Sequence, residues 1–96
     1  MRIVFHPQRR DDALAVVKSG DVLTINGEAF DFSALPDGAT LPRDAIACDL
    51  VAGPVERVDG VLVVPLILPH GPHASPAVAF PAPLDEVPDG PVELPQ

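Results

Sequence analysis

Asn26-Gly27 separates two short stretches of alternating polarity, Asp21-Val22-Leu23-Thr24-Ile25 and Glu28-Ala29-Phe30-Asp31-Phe32. No other feature restricts the fold as much. Both central residues of a type I′ turn need positive φ, which Asn and Gly reach at little cost, so this dipeptide specifies a two-residue hairpin. The turn pairs Ile25 with Glu28, Leu23 with Phe30 and Asp21 with Phe32. A preceding turn at Ser19-Gly20 pairs Lys18 with Asp21, Val16 with Leu23 and Leu14 with Ile25. Side chains alternate faces along a strand with period two. One face therefore gathers Leu14, Val16, Leu23, Ile25, Phe30 and Phe32, and the other carries Ala15, Val17, Val22, Thr24, Ala29 and Asp31. The first is a core face. Phe30 is expected at its centre, where truncation to Ala would cost about 3 to 5 kcal/mol. Lys18 opposite Asp21 forms a rim ion pair worth about 0 to 1 kcal/mol. The β-branched residues and turn glycines recur too often for a helix over residues 13–18.

Asp59-Gly60 repeats the signal. It pairs Val58 with Val61, Arg57 with Leu62 and Val55 with Val64. A second core face then holds Val51, Val55, Leu62, Val64, Leu66 and Leu68, with Arg57 at its end. Pro54 and Pro65 fall opposite each other in this register. Proline cannot donate to a ladder, so an edge or a bulge is required there. Residues 2–6 read as a short strand stopped by Pro7, residues 33–49 as a loop, and Ala45 to Leu50 as the start of a further strand. Two apolar faces from two sets of hairpins predict a mainly β fold, a small antiparallel meander folded as a sandwich or partly open barrel.

Composition changes at Pro69. Residues 69–96 hold 8 of the 13 prolines, the acids Asp85, Glu86, Asp89 and Glu93, and no Lys or Arg. The reading is an antiparallel β domain over residues 1–68 and a Pro-rich acidic C-terminal tail over 69–96. Proline removes backbone donors and favours extended chain, so neither regular sheet nor helix is expected in that tail. It is expected to dock in part as far as about residue 84 and to be flexible from 86. Val78, Phe80 and Leu84 are its apolar anchors and the candidate partner contacts. One account has them bind a partner, and the other has them cover this protein's own core.

Charge and chemistry narrow the function classes. The formal net charge is −8, from 14 acids and 6 basic residues. Phosphate backbones need a positive footprint, so a nucleic-acid surface is not expected. Aromatic residues make up 4% of the chain, all Phe, which leaves little for base stacking. The longest apolar run, Val61 to Pro69, is interrupted by Pro65 and falls short of the roughly 20 residues of a membrane helix. Met1 to Pro7 lacks the apolar core of a signal peptide, and the single Cys48 cannot form an intrachain disulfide. A reducing, cytoplasmic setting is expected.

No residue pattern carries chemistry. His70 and His73 form the only close histidine pair, and Cys48 and Asp49 complete no metal-ligand spacing with them. Cys48 has no nucleophile elbow or Gly-rich frame around it and reads as a small buried hydrophobe. Arg9 and Arg10 could clamp an anion, but Asp11 and Asp12 follow them, and a self-paired loop is expected. No catalytic, cofactor-binding or metal residue is assigned, and an enzyme is not expected. The alternative is a small ligand-binding or enzymatic module, which would show a cleft with convergent titratable groups.

Several stretches resemble small uncharacterised proteins encoded in tail-gene clusters of bacterial prophages and tailed phages. They are Pro7 to Asp12, Gly20 to Phe32, Leu35 to Thr40, Leu68 to Gly71, Phe80 to Leu84 and Asp89 to Val92. The resemblance covers most of the chain. It implies a tail-associated structural or assembly accessory that works through protein–protein contacts, with phage tail components as partners and association with the virion. It carries no activity, cofactor or site residue.

Overall fold

The computed structural model describes residues 1–95. Eight strands run in chain order: β1 (Arg2–Arg9), β2 (Val16–Ser19), β3 (Val22–Ile25), β4 (Glu28–Asp31), β5 (Thr40–Leu41), β6 (Val55–Val58), β7 (Val61–His70) and β8 (Gly90–Pro91). A 3-10 turn, Arg43–Ala45, and a one-turn helix α1, Pro76–Ala79, complete the elements. The strands form two four-stranded sheets, ordered β1-β7-β6-β5 and β4-β3-β2-β8. One apolar cluster draws on both sheets, including Ile3, Phe5, Val64 and Leu66 from the first and Val16, Leu23 and Ile25 from the second. The protein is thus mainly β, with two sheets around a shared core.

Two of the three hairpins turn where the sequence placed them. Asn26 and Gly27 have φ of 50° and 85°, and Asp59 and Gly60 have 50° and 78°. Ile25 pairs with Glu28 and Leu23 with Phe30. Val58 pairs with Val61 and Arg57 with Leu62. The remaining turn lies one residue later than expected, at Gly20-Asp21, so Val16 pairs with Ile25 and Lys18 with Leu23. Gly20 takes the positive φ of 58° and Asp21 does not, the pattern of a type II′ turn with Gly at its first central position. Partners slip by two, an even number, so the core faces survive. The expected Lys18–Asp21 pair does not form: Lys18 Nζ bonds Asp89 at 2.7 Å, and Asp21 meets Arg57 at 3.1 Å. Phe32 is buried on the first core face, whereas Phe30, nearer the edge, is half-buried.

The fold is not an all-antiparallel meander. β1 lies parallel to β7, with Arg2 opposite Val63 and Arg9 opposite His70. No turn encodes a parallel partner some sixty residues away, so local signals could not give it. β1 also runs through Pro7 rather than stopping before it. Ile3 exchanges both backbone bonds with Leu84 outside the sheet edge, at 2.9 Å each. Backbone direction alternates, so Pro7 also faces outward, where its missing N–H breaks no bond to β7.

Pro54 and Pro65 do not face each other. Ala52 N donates to the Pro65 carbonyl at 3.0 Å and Ile67 N to that of Leu50 at 2.8 Å, while Glu56 still pairs with Val63. The two extra residues, Gly53 and Pro54, bulge out between the Ala52–Pro65 bond and the Glu56–Val63 pair. Residues 33–49 are not wholly loop: Thr40–Leu41 pairs with β6, and Arg43–Ala45 makes a 3-10 turn. Ala45 to Leu50 does not form the strand anticipated there.

The proline-rich segment is more regular than its composition suggests. β7 continues to His70, α1 forms at Pro76–Ala79, and β8 pairs with β2 through Val17–Pro91 and Lys18–Gly90. Proline is compatible with each place: the first turn of a helix tolerates its missing donor, and β8 is an edge strand. Contacts continue beyond Leu84. Val87 is buried, Val92 N donates to the Val16 carbonyl at 2.8 Å, and Asp89 Oδ1 accepts from Lys18 Nζ and Gly20 N.

Candidate interaction surface

After His70 the chain leaves the first sheet and returns to its edge at Leu84. Between them, Ser75 caps α1. Its Oγ accepts from Val78 N at 3.4 Å, Pro76 fills the first helical position, and Ala79 N donates to the Ser75 carbonyl at 2.9 Å. Phe80 N closes the turn on the Pro76 carbonyl at 2.9 Å. Ser and Pro at these two positions are the standard start of a helix, which explains one ordered turn inside a proline-rich stretch.

The three expected partner contacts separate. Val78 and Leu84 are half-buried and pack against the core, and Leu84 is also fixed by its two bonds to Ile3. Phe80 is 86% exposed. It follows a closed helical turn and precedes Pro81 and Pro83, so its backbone is constrained while its ring lies in water. Two anchors thus serve this protein's own packing and one does not.

The residues singled out for chemistry do not converge. The Arg10 fork holds Asp12 through Nε at 2.8 Å and Nη2 at 2.6 Å, and Nη2 also reaches Asp49 at 3.2 Å. The Asp12 partner holds the Arg10 guanidinium above its usual range, and Arg10 in turn holds the Asp12 carboxyl below its own. Arg9 stands 3.9 Å from Asp11. The cluster is self-paired, as its sequence suggested. His70 Nδ1 lies 2.7 Å from the Gly71 carbonyl, an acceptor, so this nitrogen donates. His73 is exposed, and Cys48 is half-buried against the core. Among the described residues no group of three His, Cys, Asp or Glu side chains could hold a metal ion.

The depressions match this. One of about 460 Å³ is lined by Arg10, Asp11, Asp12 and His70; Arg10 is held by Asp12, and His70 Nδ1 by the Gly71 carbonyl. Another of about 680 Å³, between Leu14–Val17 and Pro91–Leu94, contains one ionisable side chain, Glu93. All six basic residues are engaged: Arg43 Nε donates to the Val51 carbonyl at 2.9 Å, and the other five pair with carboxylates. Among the described residues, eight carboxylates, including Glu56, Asp37 and Asp59, have no cation within 4.0 Å.

A second exposed apolar feature escaped the sequence reading. Val58 and Val61, opposite each other beside the Asp59-Gly60 turn, are 48% and 43% exposed. The signal was present in the apolar run from Val61 to Pro69, which puts apolar residues on both faces of β7. No known protein family matches the chain, and neither the curated proteins nor the solved structures contain a significant match.

Proposed function

We propose that this chain is a non-enzymatic accessory of a prophage or tailed phage, acting in tail structure or assembly through protein–protein contacts. The observation that carries the contact reading is Phe80: an aromatic ring 86% exposed on an ordered, proline-stiffened arm. A large apolar side chain held this way gains by burial on a partner. Pro76, Pro81 and Pro83 reduce the freedom lost when the arm is immobilised. The uncompensated carboxylates favour a basic or neutral partner and a salt-sensitive encounter. The phage setting rests on the sequence resemblance, and it places the protein in the bacterial cytoplasm during assembly and then with the tail.

The test is co-purification of tagged protein with the products of neighbouring tail genes, for wild type and Phe80→Asp. Capture should fall at least tenfold in the variant, with an unchanged thermal unfolding midpoint. Equal capture by the two proteins removes Phe80 from the contact. Recovery of a metabolic enzyme in place of tail components defeats the phage setting.

A further inference from the structure

β7 is apolar on both faces, although the buried core lies on one; on the other, Ile67 packs against it only in part. Leu62, Val64, Leu66 and Leu68 are buried, while Val61, exposed, and Val63, Pro65 and Ile67, half-buried, alternate with them on the outer side. A strand that faces water on one side normally alternates apolar with polar, and a continuous apolar run marks a strand covered on both. Residues paired across a sheet share a face, so the register extends this outer row sideways. Val58 lies beside Val61, Glu56 and Arg2 flank Val63, Val4 lies beside Pro65, and His6 beside Ile67. The outer face of the second sheet mixes apolar with polar, with Val17, Thr24 and Ala29 in one row and Ser19, Val22 and Asp31 in the next, although Val17 is as exposed as Val61.

Arg2, beside Val63, is held by Asp85 at 2.9 Å, and the carboxylates left around the exposed end are unpaired among the described residues. Glu56 is on the face, Asp59 is in the turn beside it, and Asp37 Oδ1 accepts from Gly60 N at 2.9 Å. Among the described residues, none of these three carboxylates has a cation within 4.0 Å. Arg57, their neighbour in the chain, has the opposite parity to Glu56 and Val58 and is spent on Asp21, Leu35 and Phe32.

We propose that the outer face of the first sheet, from Val58 and Val61 along β7, docks a protein partner that is apolar at its centre and carries lysine or arginine against Glu56, Asp59 and Asp37. Charge decides the occupant. A second copy would bring another net charge of −8 and set these acids against their own kind. None of the residues named for this face belongs to the arm that bears Phe80, so this inference stands without the phage setting. The two surfaces together would let the protein bridge two neighbours.

The probes are two synthetic strand peptides of the same Val/Ile/Thr centre, one flanked by lysines and one by glutamates. Amide shifts of the full chain are followed by NMR. The lysine-flanked peptide should bind at least tenfold tighter and shift Glu56 to Ile67. Glu56→Lys with Asp59→Lys should reverse the preference, and Val58→Thr with Val61→Thr should weaken both peptides without changing the strand spectrum. No binding, no charge preference, or shifts confined to the surroundings of Phe80 would overturn the proposal. So would a concentration-dependent dimer in sedimentation that Val61→Thr dissolves, because the occupant would then be a second copy.

Discussion

Arg57 reaches from β6 of the first sheet to the edge of the second. Its Nε donates to the Leu35 carbonyl at 2.7 Å, and Nη2 meets the Phe32 carbonyl at 3.2 Å and Asp21 Oδ2 at 3.1 Å. Its side chain is only 14% exposed, so these acceptors would be left short of partners without it. Arg57→Met should lose about 1.5 to 3 kcal/mol, the range for hydrogen bonds to a charged group, in urea unfolding. Arg57→Lys should recover only part, because one ammonium cannot reproduce the planar fork. Asp89 gives a different prediction. Its bond from Lys18, and then that from Gly20 N, hold its carboxyl below the usual range. A depressed carboxylate stabilises the fold above its unfolded value and loses that contribution as pH falls through its folded value. The melting temperature should therefore drop as pH falls below about 4. Asp89→Asn should flatten that acid limb and lower the neutral-pH plateau, with a smaller difference in high salt. The inward parity of Arg57 was legible from the hairpin register. Its acceptors were not, because they come from a loop and a turn that no local rule places beside it.

At the scale of elements, glycine separates the turns from the bulge. Gly27 has φ of +85°, which a side chain disfavours although nothing lies within 4 Å of an added Cβ. Gly53 has no such constraint, and a Cβ there would meet Pro65 Cγ at an ordinary 3.7 Å. Gly27→Ala should destabilise by about 1 to 2 kcal/mol, whereas Gly53→Ala should be neutral or stabilise by up to about 1 kcal/mol. Calorimetry on both variants checks the contrast. The two aromatic residues of the β4 region form a second pair. Phe32 is 4% exposed and Phe30 half-buried, so Phe32→Ala should cost about 3 to 5 kcal/mol and Phe30→Ala clearly less. Elements closed by two-residue turns were readable because turn chemistry and alternation are both local. The slip at Gly20 came from reading Ser-Gly where Gly-Asp is the better II′ pair. The one-turn helix at Pro76 was missed because proline count outweighed the Ser-Pro start that precedes it.

For the whole molecule, the two sheets and most of their shared core were legible, and the way the sheets are joined was not. Ile3, Phe5 and Val87 entered the core from segments whose partners lie far away in the chain. The face on β7 was visible as an apolar run, yet the exposure of Val61 depended on knowing on which side the buried core lies. The segment from Leu84 to Val92 touches both sheets. Leu84 bonds to Ile3 at the edge of the first, Asp85 holds Arg2 at 2.9 Å, and Gly90–Pro91 extends the second beside β2. Arg2 and Asp85 are 83 residues apart, and Lys18 and Asp89 are 71 apart. Such closures repay their loop entropy only after the ends have met, so refolding should be slow for a chain of this length, in about the millisecond-to-second range. Hairpins β2–β3, β3–β4 and β6–β7 can form before that, and the segment then adds to edges already present. Val87→Ala should accordingly speed unfolding while leaving the refolding rate nearly unchanged in a stopped-flow chevron. A variant that slowed refolding instead would put this segment in the nucleus. Until the segment arrives, the edges of β1 and β2 are unpaired and able to recruit another chain, so the yield of refolding should fall with protein concentration more steeply than native stability predicts.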